Sequence, residues 1–240
     1  MSNIHETAII YEGAEIAEDV VIGPYTVIGP QVKIGKGTIV ESHVVIEGET
    51  YIGERNKIYS FASIGKDSQD LKYKGEATKT IIGNNNKIRE FVTIHRGTTD
   101  RWETKIGDNN LIMAYVHVAH DCLIGNGCIL ANNATLAGHV VMEDYSYVGG
   151  LTPVHQFCRI GTQAFVGGAS SINQDIVPFC LAEGAKGGPR AINAIGLKRK
   201  GFSDETIKNI KEAFRIIFRS KMLLNDAVAK VEEELGNDEN

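Results

Sequence analysis

The sequence predicts a mainly β chain: a parallel β-helix wound from a six-residue repeat, followed by a C-terminal α-helical subdomain. Three observations predict it: a column of aliphatic residues at every sixth position, a parallel column of small residues, and a change of pattern after Pro178. Counting by six from Ile10 to Ile172 meets 28 positions, and 25 of them are aliphatic or methionine. The overall hydrophobic content of 42% would place about 12 there by chance, so the period is a property of the fold. The beats that fail are Asp70, Glu76 and Asp100.

Two residues before each aliphatic the side chain is small or slender, as in Ala14, Val20, Thr26, Thr38, Cys122, Cys128 and Ala134. Asn56, Asn86 and Asn110 occupy the same column, where their amides are placed to bridge successive coils. The residue after the aliphatic is often glycine (Gly23, Gly29, Gly35, Gly53, Gly83, Gly107, Gly125), as a turn with unusual φ would require. Each hexad is then a short strand plus a turn. Three hexads close a triangular coil of 18 residues, stacked on the next at about 4.8 Å.

The failed beats mark loops at 65–79 and 97–104, leaving the β-helix domain at 1–183 and the connector and helical subdomain at 184–240. Loops on a rigid scaffold often carry function, although surface insertion explains the second equally well. Within the C-terminal part, 184–201 reads as a Gly-rich, basic connector. Ser203 is placed to cap a helix with Ile207, Ile210, Phe214, Ile217 and Phe218 on one face, and Asn225 to cap a second with Val228, Val231 and Leu235 inward. Residues 196–222 hold eight basic against three acidic side chains, in a chain whose net charge is -5. That patch suits an acidic or phosphate-bearing partner, while the overall acidity argues against nucleic acid. The amino terminus lacks the pattern of a signal peptide, no apolar run is long enough for a membrane span, and the four cysteines include no C-x-x-C pair. A soluble, cytoplasmic protein with no stable membrane insertion is expected.

Histidines are the best lead to chemistry. In an 18-residue coil His120, Gly138 and Gln156 form one vertical column, with His139 and His155 one residue to either side and His117 close by. A solenoid stacks any residue type into ladders, so the cluster has a bland explanation as well. Two chemistries fit it: a zinc site with three nitrogen ligands and an open position, or one histidine acting as general base without a metal. The spacing of three between His117 and His120 makes them poor joint ligands in extended chain.

The segments Gln69–Glu76, Thr93–Gly97, His117–Cys122, Ile129–His139, Val154–Phe157 and Gly196–Arg199 together resemble the acyl-carrier-protein–UDP-N-acetylglucosamine O-acyltransferase family of lipid A synthesis, over residues 5 to 220. The resemblance implies a left-handed β-helix, a homotrimer with active sites between subunits, and transfer of an (R)-3-hydroxyacyl chain from acyl carrier protein to the glucosamine 3-hydroxyl. No cofactor is implied beyond the phosphopantetheine of the carrier. By position, His120 matches the general base, Asp121 the carboxylate that orients it, and the Gly138 N–H the oxyanion donor. Joining His120 to its neighbour Asp121 needs a corner, because adjacent strand residues diverge. Asp70, Leu71, Lys72, His117, His139, His155 and Gln156 match sugar or acyl contacts, and Asn193 and Arg199 match nucleotide contacts. Gly168 matches a position that helps set acyl length, and having no side chain it implies a long groove. The chain departs from the family at Ile195, where many members carry Glu, at Arg199-Lys200 in place of paired arginines, and in a short C-terminal part. The alternatives are transfer to the 3-amino analogue of the sugar, a zinc lyase of carbonic-anhydrase type on the same fold, and a purely structural scaffold.

Overall fold

The computed structural model describes residues 3–185 and 187–236. Two-residue strands such as Val21–Ile22, Val27–Ile28 and Ile39–Val40 alternate with corners. They assemble into three flat faces: one sheet of 11 strands and two of 8. Pairing within the coils is parallel and advances by 18 residues, with Val21 beside Ile39 and Ile129 beside Tyr147. The aliphatic column is the core: Ile22, Ile28, Ile58, Ile112, Leu130 and Leu136 are at most 1% exposed.

The small-residue column also points inward, and most of its polar members are satisfied, the buried Thr80 hydroxyl excepted. The Thr26 hydroxyl donates to the Glu41 carbonyl and that of Thr38 to the Gly53 carbonyl. The asparagines bridge coils as their spacing suggests. Asn86 Nδ2 donates to Asn56 Oδ1 at 3.0 Å and to the Gly107 carbonyl at 2.9 Å, and Asn110 accepts from the Cys128 N–H. Buried amides paired this way hold register without an unsatisfied polar group.

The glycines serve a different purpose from the one expected. Among the seven that follow an aliphatic in the sequence reading, none takes a positive φ. They are there because the coils touch: a Cβ on Gly35 would lie 2.7 Å from the Gly53 carbonyl carbon, and one on Gly107 2.7 Å from the Gly125 oxygen. The left-handed backbone falls three residues before most of the aliphatics, and is taken for example by Tyr25 (57°), Asp121 (59°), His139 (65°) and Phe157 (65°). Such a conformation costs an L-residue about 1–2 kcal/mol, and the sharp corner it makes is what turns the chain onto the next face.

The loops keep the count. Ser63 pairs with Thr93, 30 residues on in place of 18, and Thr93 with His117, 24 on. The insertions are therefore twelve and six residues long, two beats and one, which is why the period resumes in phase after each. Strand bounds at Ser63–Lys66, Lys79–Ile82, Thr93–His95 and Glu103–Ile106 narrow the loops to 67–78 and 96–102.

The connector holds more structure than its composition suggests. Strand Cys180–Glu183 continues the 11-stranded face, and Gly188–Ile192 returns antiparallel to it. Helix α1 (Ala194–Arg199) follows, then α2 (Asp204–Arg219) and α3 (Leu224–Leu235). Ser203 caps α2 as expected, accepting from the Thr206 N–H. Asn225 does not cap α3: the cap residue is Leu223, without a side-chain hydrogen bond, and Asn225 lies in the first turn. Apolar residues of α2 and α3 face Pro178–Cys180 at the end of the β-helix across a cleft of about 610 Å³. Among the described residues no helix is long and apolar enough to cross a membrane.

Candidate active site

Both loops and the histidine cluster share one edge of the prism. The chain turns there from His117–Val118 to Leu123–Ile124, and one coil later from Thr135–Leu136 to Val141–Met142. Loops 67–78 and 96–102 leave the coil at the same edge, two coils and one coil below. They are tied together by Thr78, whose hydroxyl donates to the Gly97 carbonyl at 2.6 Å. Arg96 closes the base of the first loop, with Nε donating to the Gly65 carbonyl and a 3.0 Å ion pair to Asp67.

The corner geometry required by the adjacent His120 and Asp121 is present. With Asp121 at φ 59° its carboxylate turns back to the imidazole, and His120 Nδ1 lies 2.8 Å from Asp121 Oδ2. Asp121 is fully buried, and Thr98 donates to it twice: its N–H to Oδ1 at 2.9 Å and its hydroxyl to Oδ2 at 2.6 Å. The Asp121 N–H donates to Thr104 Oγ1. Burial pushes the Asp121 carboxyl upward, but hydrogen bonds from His120 and Thr98 outweigh it and hold the group below its ordinary value. An ionised carboxylate only accepts, so Nδ1 of His120 carries its hydrogen and Nε2 is left with a free lone pair.

Gly138 lies against that Nε2. A Cβ there would come within 2.6 Å of Nε2 and 2.5 Å of Cε1, so the ring keeps its position only because the residue is glycine. The Gly138 carbonyl accepts from the Phe157 N–H, while its own N–H donates to no protein acceptor among the described residues. Thus a free base and an uncommitted donor adjoin one another.

His139 stands edge-on to His120 at 5.2 Å and stacks on Phe157 at 4.4 Å. Its Nε2 is 3.5 Å from Asp100 and 3.7 Å from Asp121. Burial lowers its pKa, and the Asp121 charge offsets part of that. His117 Nδ1 lies 2.7 Å from the Thr93 hydroxyl, and burial together with His120 lowers its pKa also. His155 and Gln156 are exposed one coil above, joined by a bond from His155 Nδ1 to the Gln156 carbonyl.

The remaining expected residues are not gathered at His120 by one chain. In the first loop Asp70 accepts from the Lys72 N–H, and Leu71 is wholly exposed at the tip. Gly168 lies beside a different edge, after Phe165–Val166, exposed and facing the Gly150 backbone. Asn193 caps α1, accepting from Gly196 N–H and donating to the Gln163 carbonyl, and Arg199 is exposed in the last turn of that helix. Thr98, Thr104, Asp100 and Phe157 were not singled out from the sequence. Asp100 was visible only as a failed beat, and Phe157 only as the last residue of the Val154–Phe157 segment.

His120, Asp121 and His139 carry the donor types of a zinc site, with atoms within 4.8 Å of one another. Three of the roughly four lone-pair positions on Asp121 are already taken by Thr98 and His120, which fits an acid–base pair better than a cation.

His95 is a separate case. Buried edge-on to His117 with no partner for Nδ1, it has its pKa pushed down by burial to about 4. An unfolded imidazole protonates near 6.5, so between 6.5 and about 4 the unfolded chain binds the extra proton. This contribution to stability is complete above 6.5 and is lost as pH falls through that window. Urea midpoints measured against pH should fall less steeply there in His95→Gln, and an unchanged slope would remove His95 as a cause.

The family described as "Udp N-acetylglucosamine O-acyltransferase; Domain 2" matches residues 175–240, and bacterial transferase hexapeptide repeats match 13–48 and 103–138. Among solved structures, LpxA of Acinetobacter baumannii is 49% identical, with a TM-score of 0.94 over 96% of this chain and 90% of that one. LpxA of Bacteroides fragilis, a UDP-N-acetylglucosamine acyltransferase, is 42% identical, with a TM-score of 0.96 over 98% and 92%. This chain belongs to the UDP-N-acetylglucosamine O-acyltransferase family. The Arabidopsis UDP-N-acetylglucosamine acyltransferase is more distant at 38% identity, with a TM-score of 0.85 over 96% of this chain and 90% of that one. The fold is accordingly the left-handed β-helix, a hand that a six-residue period leaves open. The C-terminal family region begins at 175, inside the last coil. Ile195 is exposed on α1.

Proposed function

We propose that this protein transfers an (R)-3-hydroxyacyl chain from acyl carrier protein to the 3-hydroxyl of UDP-N-acetylglucosamine, the first step of lipid A synthesis, in the cytoplasm. The observation that carries the mechanism is the free Nε2 of His120, backed by Asp121 and adjoining the uncommitted Gly138 N–H. A sugar hydroxyl is too weak an acid to attack unaided at neutral pH. Nε2 takes its proton as the oxygen adds to the thioester carbonyl, and Asp121 stabilises the imidazolium. Negative charge on the carbonyl oxygen is met by the Gly138 N–H. Collapse breaks the carbon–sulfur bond, and the proton on Nε2 leaves with the carrier thiol. Every proton is accounted for without a metal or a redox cofactor.

The distribution of the other matched residues supports a site shared between subunits. His120 and His139 lie at one edge of the prism, Gly168 beside another, and Leu71 reaches away from its own chain with no partner of its own. A homotrimer would bring these edges together. Gly168 then opens the groove for a long acyl chain, and His139, His155, Gln156 and the Asp70–Lys72 tip contact sugar or acyl group. Asn193 and Arg199 lie toward the nucleotide, and Lys198–Lys200 with the basic face of α2 toward the acidic carrier.

Purified protein supplied with defined 3-hydroxyacyl carriers should yield one acylated sugar nucleotide by mass, cleaved by mild alkali as an ester. The 3-amino acceptor should be used poorly. An alkali-stable amide from the amino sugar, with no ester from the hydroxyl sugar, would overturn the acceptor assignment.

A further inference from the structure

We infer that Thr98 is a positioning residue that favours the reactive tautomer of His120 by directing two donors at the Asp121 carboxylate and so holding it ionised. The inference rests on the assignment of His120 as general base and extends it to the second loop.

Three donors converge on the Asp121 carboxylate. Oδ1 faces the Thr98 N–H at 2.9 Å, a donor that cannot reverse. Oδ2 faces the Thr98 hydroxyl at 2.6 Å and His120 Nδ1 at 2.8 Å. The Asp100 N–H donates to the same Thr98 oxygen at 3.3 Å, which takes one of its two lone pairs and favours the orientation that points its hydrogen to Asp121. On Oδ2 a proton would meet the Thr98 and His120 hydrogens, so these donors favour the ionised carboxylate. Asp121 stays an acceptor, Nδ1 of His120 must be the donor, and the lone pair is fixed on Nε2, beside Gly138.

The loop is built to hold this geometry. Its six extra residues turn tightly, with the Trp102 N–H donating to the Thr98 carbonyl at 2.7 Å. Beyond the turn, Thr104 accepts from the Asp121 N–H, so the loop grips the corner residue at both its carboxylate and its backbone. The lost beat in the repeat is thus the clamp on the carboxylate behind the base. Other charged or titratable groups facing Asp121 are few: His120 and His139 directly, Asp100 through His139, and Arg101, whose charge bears on His139.

The test compares Thr98→Val and Thr98→Ala, which lack the hydroxyl, with Thr98→Ser, which keeps it. In Val and Ala, kcat should fall about 10–100-fold, on the scale of a base displaced from its working position. KM for UDP-N-acetylglucosamine should be unchanged. The acid limb of kcat/KM should move to higher pH, because Asp121 can then accept a proton. Serine should restore most of kcat and the parental limb. Melting temperature is followed in all three, and the Ser–Ala comparison stands if Val packs badly. Parental kcat and pH profile in both Val and Ala would overturn the inference, as would a Ser variant as slow as Ala. His120→Ala, run alongside, separates the two readings. If it stays active, the base assignment fails. If it is inactive while Thr98→Val and Thr98→Ala match the parent, only the role of Thr98 fails.

Discussion

Replacing His120 with alanine should lower kcat by about 10²–10⁴-fold, the usual contribution of a positioned general base, while leaving the β-helix folded. The ring is partly exposed at the prism edge, and among the described residues its hydrogen-bond partner is Asp121 alone. Removing it leaves the carboxylate still bound by both Thr98 donors, so no buried charge is abandoned. The aliphatic core is not touched. Circular dichroism and melting temperature should therefore remain close to those of the parent, with KM for the sugar nucleotide little changed. Turnover within a few-fold of the parent would show that the proton leaves by another route, and would remove the mechanism proposed above. Asp121→Asn is a weaker test, because an amide can still accept at Oδ1 while turning a donor toward Nδ1 and imposing the wrong tautomer.

How much of this was legible in the sequence depends on how far apart the interacting residues are in coil space. The period placed His120 beneath Gly138 and Gln156, because an 18-residue coil turns sequence distance into height. Loop lengths were legible in the same way: two lost beats at Asp70 and Glu76 and one at Asp100 equal the twelve and six residues inserted. The His120–Asp121 contact came from the family resemblance and not from the period, since it needs the left-handed corner at Asp121, and periodicity does not say which residue of the hexad turns. The glycines misled for the same reason. They follow the aliphatic because neighbouring backbones approach there, while Tyr, Phe, His and Asp take the strained corner. Thr98 was invisible because its partner lies 23 residues away across a loop that obeys no period. Hand of winding and the division of the matched residues among separate edges also lay beyond the repeat.

Substituting Gly138 with alanine should be nearly as damaging as losing the base, for a reason that is wholly geometric. The added methyl would sit 2.5 Å from Cε1 and 2.6 Å from Nε2 of His120, where carbon and nitrogen cannot remain. Backbone conformation is no obstacle, because Gly138 is not in the left-handed region, so the chain can fold around an alanine. The imidazole must then move, and it is anchored through Nδ1 to a carboxylate that Thr98 holds rigidly. Either that bond breaks or the Gly138 backbone shifts, and each outcome separates the base from the N–H donor that faces the developing oxyanion. Losing one such donor typically costs about 10²–10³ in kcat, and misplacement of the base adds to it. Steady-state kinetics of Gly138→Ala should show kcat reduced by at least about 10²-fold with the fold intact by circular dichroism. The double variant with His120→Ala, in which the clash is gone, should be no slower than His120→Ala by more than the donor's own share. A fully active Gly138→Ala would mean that the ring sits elsewhere during turnover and that the approach of Nε2 to Gly138 is not the working geometry.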